Sequence, residues 1–201
     1  MNWTMPLILA STSPRRRSML AESPWPIEVL SPTIDDGDLS PGEGTPEEWV
    51  EALAWLKARS VLDVLHETRE PGSPCTVLGA DTICVDGARL LGQPADEREA
   101  RSMLEGFMDT AHDVLTGACL VACPEGHRLL FHDRAVVRWG SVSTEDLDAY
   151  LDSGLWRGKA GGYNLIERIE AGWPIECEGD PATVMGLPMR RLQELLEGVQ
   201  A

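Results

Sequence analysis

The chain has 201 residues, 43% of them hydrophobic, and a formal charge of −16 from 33 acidic against 17 basic side chains. That length suits one domain, or one domain with two lobes, and the apolar share is enough for a packed core. The acidic excess excludes a general nucleic-acid binder, which needs a basic face, but leaves room for a single nucleotide held by basic groups gathered locally. No basic leader precedes a long apolar stretch, and no apolar run approaches membrane-spanning length. The five cysteines have no metal-ligand spacing, and Cys119 and Cys123 lie in an apolar strand-like run as core thiols. The expectation is a reduced, cytoplasmic protein without signal peptide that binds neither nucleic acid nor membrane.

Leu7-Ile8-Leu9-Ala10 reads as a buried strand. It runs into Ser11-Thr12-Ser13, where Ser13 is a natural helix N-cap and Pro14 a natural first helical residue. Arg15, Arg16 and Arg17 then occupy the first helical turn. Cations are electrostatically wrong at a helix N-terminus unless an anion is expected there, and guanidinium forks grip phosphate or carboxylate. Ile27-Glu28-Val29-Leu30 is a second strand, followed by an acidic turn through Asp35, Asp36 and Asp38 and a Pro/Gly-rich loop. Thr45-Pro46-Glu47-Glu48 opens a long helix with cap, N1 proline and early acids. Its apolar stripe from Trp49 to Val64 leaves Lys57 near the edge of the buried face.

Cys75 to Val85 is the next strand, turned at Asp86-Gly87 into a short return at Leu90-Leu91. A helix spans about Asp96 to Glu105. Val114 to Cys123 and Leu129 to Val137 flank Pro124-Glu125-Gly126 as a second hairpin. A short helix covers Thr144 to Leu151, a glycine-rich loop Gly154 to Tyr163, two short extended segments Leu165 to Glu178, and a last helix follows Gly186-Leu187-Pro188 through Leu196. Strands and helices alternate early and hairpins fill the middle, so the class is α/β with a mixed sheet flanked by helices.

Asp81 follows Val77-Leu78-Gly79-Ala80 at or near the carboxyl end of a buried strand, where open α/β sheets bind ligands. Only two of the basic residues are lysines, Lys57 and Lys159. A chain that otherwise uses arginine keeps a compact point charge at those two places. Gly154-x3-Gly158-Lys159-Ala160 lacks the spacing and the hydroxyl of a P-loop.

Together these segments resemble the Maf family of nucleoside triphosphate pyrophosphatases, first named as septum-formation inhibitors. Ala10-Ser11-x-Ser13-Pro14-Arg15-Arg16 resembles its opening motif, and Gly79-Ala80-Asp81-Thr82 a second motif whose aspartate is the proposed proton acceptor for the attacking water. Lys57 resembles a helix lysine that reaches the phosphates. Asp35-Asp36 resembles an Asp-Glu pair associated with the metal, with Asp36 one methylene shorter. Lys159-Ala160-Gly161-Gly162-Tyr163, Glu178-Gly179-Asp180 and Val184 to Pro188 match later motifs, and His112-x-Val114-x-Thr116-Gly117 another that reads as structural. Three active-site positions depart from the family: Asp36 as above, Gln93 where a lysine is usual, and Ile166 where a glutamine is.

The resemblance implies a single Maf-like domain over 1–201, of Maf/ITPase-like α/β fold with two lobes and a cleft between them. It implies hydrolysis of canonical or modified nucleoside triphosphates to monophosphate and pyrophosphate. Asp81 and Lys57 would be catalytic. Ser11, Arg15, Arg16, Lys57, Thr82, Gln93 and Ile166 would contact substrate, and Asp36 and Asp81 would hold a divalent cation, magnesium or manganese. Homodimerisation is compatible with this reading. The rival is a catalytically weakened nucleotide-sensing or septation-linked protein on the same fold, kept open by Gln93 and Ile166.

Overall fold

In the computed structural model, which describes residues 3–34 and 39–198, Leu7–Ala10 forms β1, every residue of it buried. A seven-stranded mixed sheet is built around it. The remaining strands are β2 (Ile27–Leu30), β3 (Cys75–Asp86), β4 (Arg89–Leu91), β5 (Ala111–Cys123), β6 (Arg128–Trp139) and β7 (Ile175–Glu178). The order is β2-β1-β3-β5-β6-β7, with β4 paired to β3. β1 runs parallel to β2 and β3, while β3–β4 and β6–β7 are antiparallel. The helices are α1 (Pro14–Ala21), α2 (Pro46–Thr68), α3 (Glu97–Phe107), α4 (Thr144–Asp152), α5 (Leu165–Glu170), α6 (Pro181–Met185) and α7 (Met189–Leu196).

The chain divides into two compact units. One holds residues 1–81, 116–133 and 186–201, and the other 82–115 and 134–185. In the first, strand pleating sorts the core into two layers. Leu7 and Leu9 of β1 pack with Leu78, Leu20 and Leu192, on the side of α1 and α7. Ile8 and Ala10 pack with Val77, Cys119 and Val121 against Ala54, Ala58, Val61 and Leu65 of α2. α2 lies directly on the strands because two glycines admit it. A Cβ on Gly79 would come within 2.1 Å of the Ala54 carbonyl oxygen, and one on Gly117 within 2.4 Å of the Val50 backbone. A glycine inside a strand marks such an approach. Thr45 caps α2 in a reciprocal box with Glu48, as the sequence predicts.

The second unit has its own core, with Leu104, Phe107, Trp139, Tyr150, Leu151 and Tyr163 among its buried members. Here the structure corrects one expectation. Leu165 to Glu178 is not two extended segments: the first is helix α5 and only the second is strand, β7. The helix forms because the Asn164 side chain accepts from the Glu167 N–H at 3.2 Å. The short α6 was also not anticipated; the Asp180 carboxylate accepts from the Ala182 N–H at 2.9 Å and starts it. The glycine-rich loop contains a 3₁₀ turn at Ala160–Gly162.

Candidate active site

In the first unit the turn after β1 is held by its own hydroxyls. The Ser13 N–H donates to Ser11 Oγ at 3.1 Å, and Ser13 Oγ accepts from the Arg16 N–H at 3.5 Å. No acidic residue sits in the first turn of α1. Ser11 is buried, Arg15 half-buried and Arg17 exposed. Arg16 is 9% exposed, and its Nε donates to the Gly186 carbonyl at 2.8 Å, tying α1 to the segment before α7. The Gly186 backbone takes φ of 112°, a left-handed value that suits glycine.

Asp81 belongs with this turn through register. Ala10 is opposite Gly79, the last parallel pair between β1 and β3. Beyond that pair β1 gives way to the Ser11 turn while β3 continues. Asp81 therefore lies just past the end of the parallel ladder, although it is not at the end of its own strand, which runs to Asp86. Pleating puts Cys75, Val77, Gly79 and Asp81 on the α2 face of β3. Gly79 brings α2 onto that face, and Lys57 Nζ reaches Asp81 Oδ1 at 2.5 Å. The two side chains are only 15% and 12% exposed. A lysine and a carboxylate so placed neutralise one another and hold each other's rotamer, yet each keeps some surface toward solvent. Together they set a compact cation and a carboxylate side by side.

Thr82 follows in β3, and Gln93 is exposed in the loop after β4; both belong to the second unit. There the Gly161 N–H donates to the Gly92 carbonyl at 3.0 Å, so the 3₁₀ turn braces the Gln93 loop. Ile166 is 40% exposed on α5, a surface an amide would occupy without cost. Lys159, 8% exposed, places Nζ 2.5 Å from Glu167 Oε2. The Asn164 amide donates to Glu167 Oε1 at 2.9 Å. Both lysines of the chain thus end on a carboxylate. The sequence reading missed Glu167 as the partner of Lys159 and Gly79 as the contact that seats α2. The signals were present, in a cap residue three before an acid and in a glycine inside an apolar strand.

Asp36 lies outside the described residues. Among the described residues no group of three or more His, Cys, Asp or Glu side chains converges as a metal cage. No described helix is long and apolar enough to cross a membrane. Asp86 is five residues from Asp81 on the same strand, hence on its opposite face, and neighbours Arg89 at 3.9 Å.

A family model described as Maf-like protein matches residues 6–199. A dTTP/UTP pyrophosphatase of Symbiobacterium thermophilum is 40% identical over 190 residues, which is 94% of this chain and 92% of that protein. Proteins of the same name from Ruminiclostridium cellulolyticum and Halalkalibacterium halodurans are 34% and 38% identical, each alignment covering at least 94% of both chains.

Proposed function

The chain belongs to the Maf family, and from that premise we propose that it is a nucleoside triphosphate pyrophosphatase acting on dTTP and UTP. The observation that carries the chemistry is the buried Lys57–Asp81 pair beside a hydroxyl-and-arginine turn. Water attacks the α-phosphorus, a new P–O bond forms, and the bond to the bridging oxygen breaks, releasing pyrophosphate. Asp81 orients the water and takes its proton. Ser11, Arg15, Arg16 and Lys57 bind the phosphates, with Lys57 exchanging its contact with Asp81 for the developing negative charge. Thr82, Gln93 and Ile166 are assigned to the remaining substrate contacts.

A divalent cation suits an oxygen-only donor set, and magnesium commonly binds through one or two carboxylates plus substrate phosphates. Asp81 and Asp36 would hold it, and when bound it would supply charge neutralisation on the phosphates. Retention of Lys57 and Asp81, and relatives that are all named as enzymes, weigh against a purely sensing role.

The test is a panel of canonical and modified triphosphates with magnesium or manganese, resolving pyrophosphate from phosphate. The expected result is pyrophosphate release, fastest with dTTP and UTP. Asp81→Asn should cut turnover by about 100-fold or more, the usual share of a positioned general base, with an unchanged circular-dichroism spectrum. Release of single phosphates, or wild-type turnover in Asp81→Asn, would overturn the assignment.

A further inference from the structure

At the other end of the α2 face lies a cavity of about 410 Å³. Trp55, Leu62, Arg69, Pro71, Cys75 and Cys123 are among the residues that line it. Cys75 opens β3 and Cys123 closes β5, neighbouring strands of the sheet. By the same pleating that directs Asp81, both thiols project toward α2, and both line this cavity, Cys75 buried and Cys123 half-buried. Six residues along β3 separate Cys75 from Asp81, roughly 20 Å at the rise of a strand, so this cavity is distinct from the proposed active site.

The geometry points to a second reactive site here: Cys75 and Cys123 form a dithiol that exchanges with low-molecular-weight disulfides admitted to the cavity, closing to a Cys75–Cys123 disulfide that excess thiol reopens. The two partners are unlike in the way exchange requires. The Cys75 thiol is shifted downward, chiefly by its neighbour Cys123 and helped by the Arg69 guanidinium, against burial and against Glu28. Cys123 is shifted upward, first by Cys75 and then by burial. Cys75 is the attacking thiolate and Cys123 the resolving thiol. Cys84 and Cys119, by contrast, are pushed up to about 12 by burial and stay inert thiols. Arg69 is itself fixed by Glu28 at 2.5 Å. The expectation of Cys123 as a plain core thiol is corrected, since it is only half-buried and faces the cavity.

The step balances. The Cys75 thiolate attacks one sulfur of the small disulfide, whose S–S bond breaks, and the departing thiolate takes up a proton. Cys123 then attacks Cys75 Sγ, giving its proton to the second departing thiolate. Two protein thiols are oxidised to one disulfide, and one small disulfide is reduced to two thiols.

The test incubates the full chain with glutathione disulfide, alkylates the remaining thiols and maps the peptides. The expected product has lost two hydrogens, carries a Cys75–Cys123 cross-linked peptide and alkylates normally at Cys84, Cys119 and Cys177; dithiothreitol reverses it. Cys123→Ser, a change at a half-buried position, should trap one glutathionyl group on Cys75 while the circular-dichroism spectrum is unchanged. Absence of the cross-link, a cross-link through any other cysteine, or a glutathionyl group at Cys177 instead of Cys75 in Cys123→Ser would overturn the proposal.

Discussion

Gln93 and Ile166 make separable claims about the reaction. On the proposed assignment, Gln93 replaces the charge of a family lysine with a neutral amide, a loss every triphosphate should feel alike. On the same assignment, Ile166 replaces a glutamine with a side chain that makes no hydrogen bond, and an unpaired polar edge costs about 1–3 kcal/mol, enough to reorder bases. Nearby Asn164 and Glu167 hold each other, and Glu167 also holds Lys159. Ile166 is itself 40% exposed, so glutamine fits there without repacking. Gln93→Lys should raise kcat/KM for all nucleotides in parallel, and Ile166→Gln should change their ranking. The same nucleotide panel reads both. A changed ranking from Gln93→Lys and none from Ile166→Gln would mean that the two roles are exchanged.

At the scale of elements, the proposed chemistry depends on how closely α2 approaches β3. Lys57 is carried by the helix and Asp81 by the strand, and Gly79 sets the gap between them. Gly79→Ala would drive a methyl group against the Ala54 carbonyl and the Ala58 N–H, 2.1 and 2.8 Å from its Cβ. Both are helix backbone and cannot rotate away, so the helix must shift. Overpacking of this kind costs about 1–3 kcal/mol, which denaturant unfolding would measure. Activity should fall further than stability, because a displaced Lys57 misplaces its cation even in molecules that remain folded. Loss of stability with full kcat/KM would show that the Lys57–Asp81 spacing does not matter to turnover.

For the molecule as a whole, acid stability is the most direct readout of its buried charge. His112 is buried in the second unit, stacked on Phe107 at 3.8 Å, with Nε2 2.9 Å from the Tyr163 hydroxyl. Burial lowers its pKa to about 4, with Asp113 partly offsetting. Unfolded, the ring takes a proton near pH 6.5; folded, it resists until about pH 4. Its contribution is therefore complete above pH 6.5 and is lost as pH falls toward 4, by up to about 3 kcal/mol. His112→Gln should flatten the stability profile between those limits in denaturant titrations at a series of pH values. An unchanged slope would mean that other groups set the acid limb. The sequence alone determined the α/β class, the caps of α1 and α2 and the hairpins, because periodicity and capping chemistry are local properties of the chain. It misread Leu165–Glu170, where one Asn164 side-chain bond decides helix over strand, and it took Cys123 for a core thiol. The pairing of Lys57 with Asp81 and of Lys159 with Glu167, and the placing of Cys75 and Cys123 on one cavity, were decided only by tertiary structure. Each pair joins residues that are distant in sequence or on facing elements, and whether they meet depends on strand register and on how far a helix can sink onto a glycine.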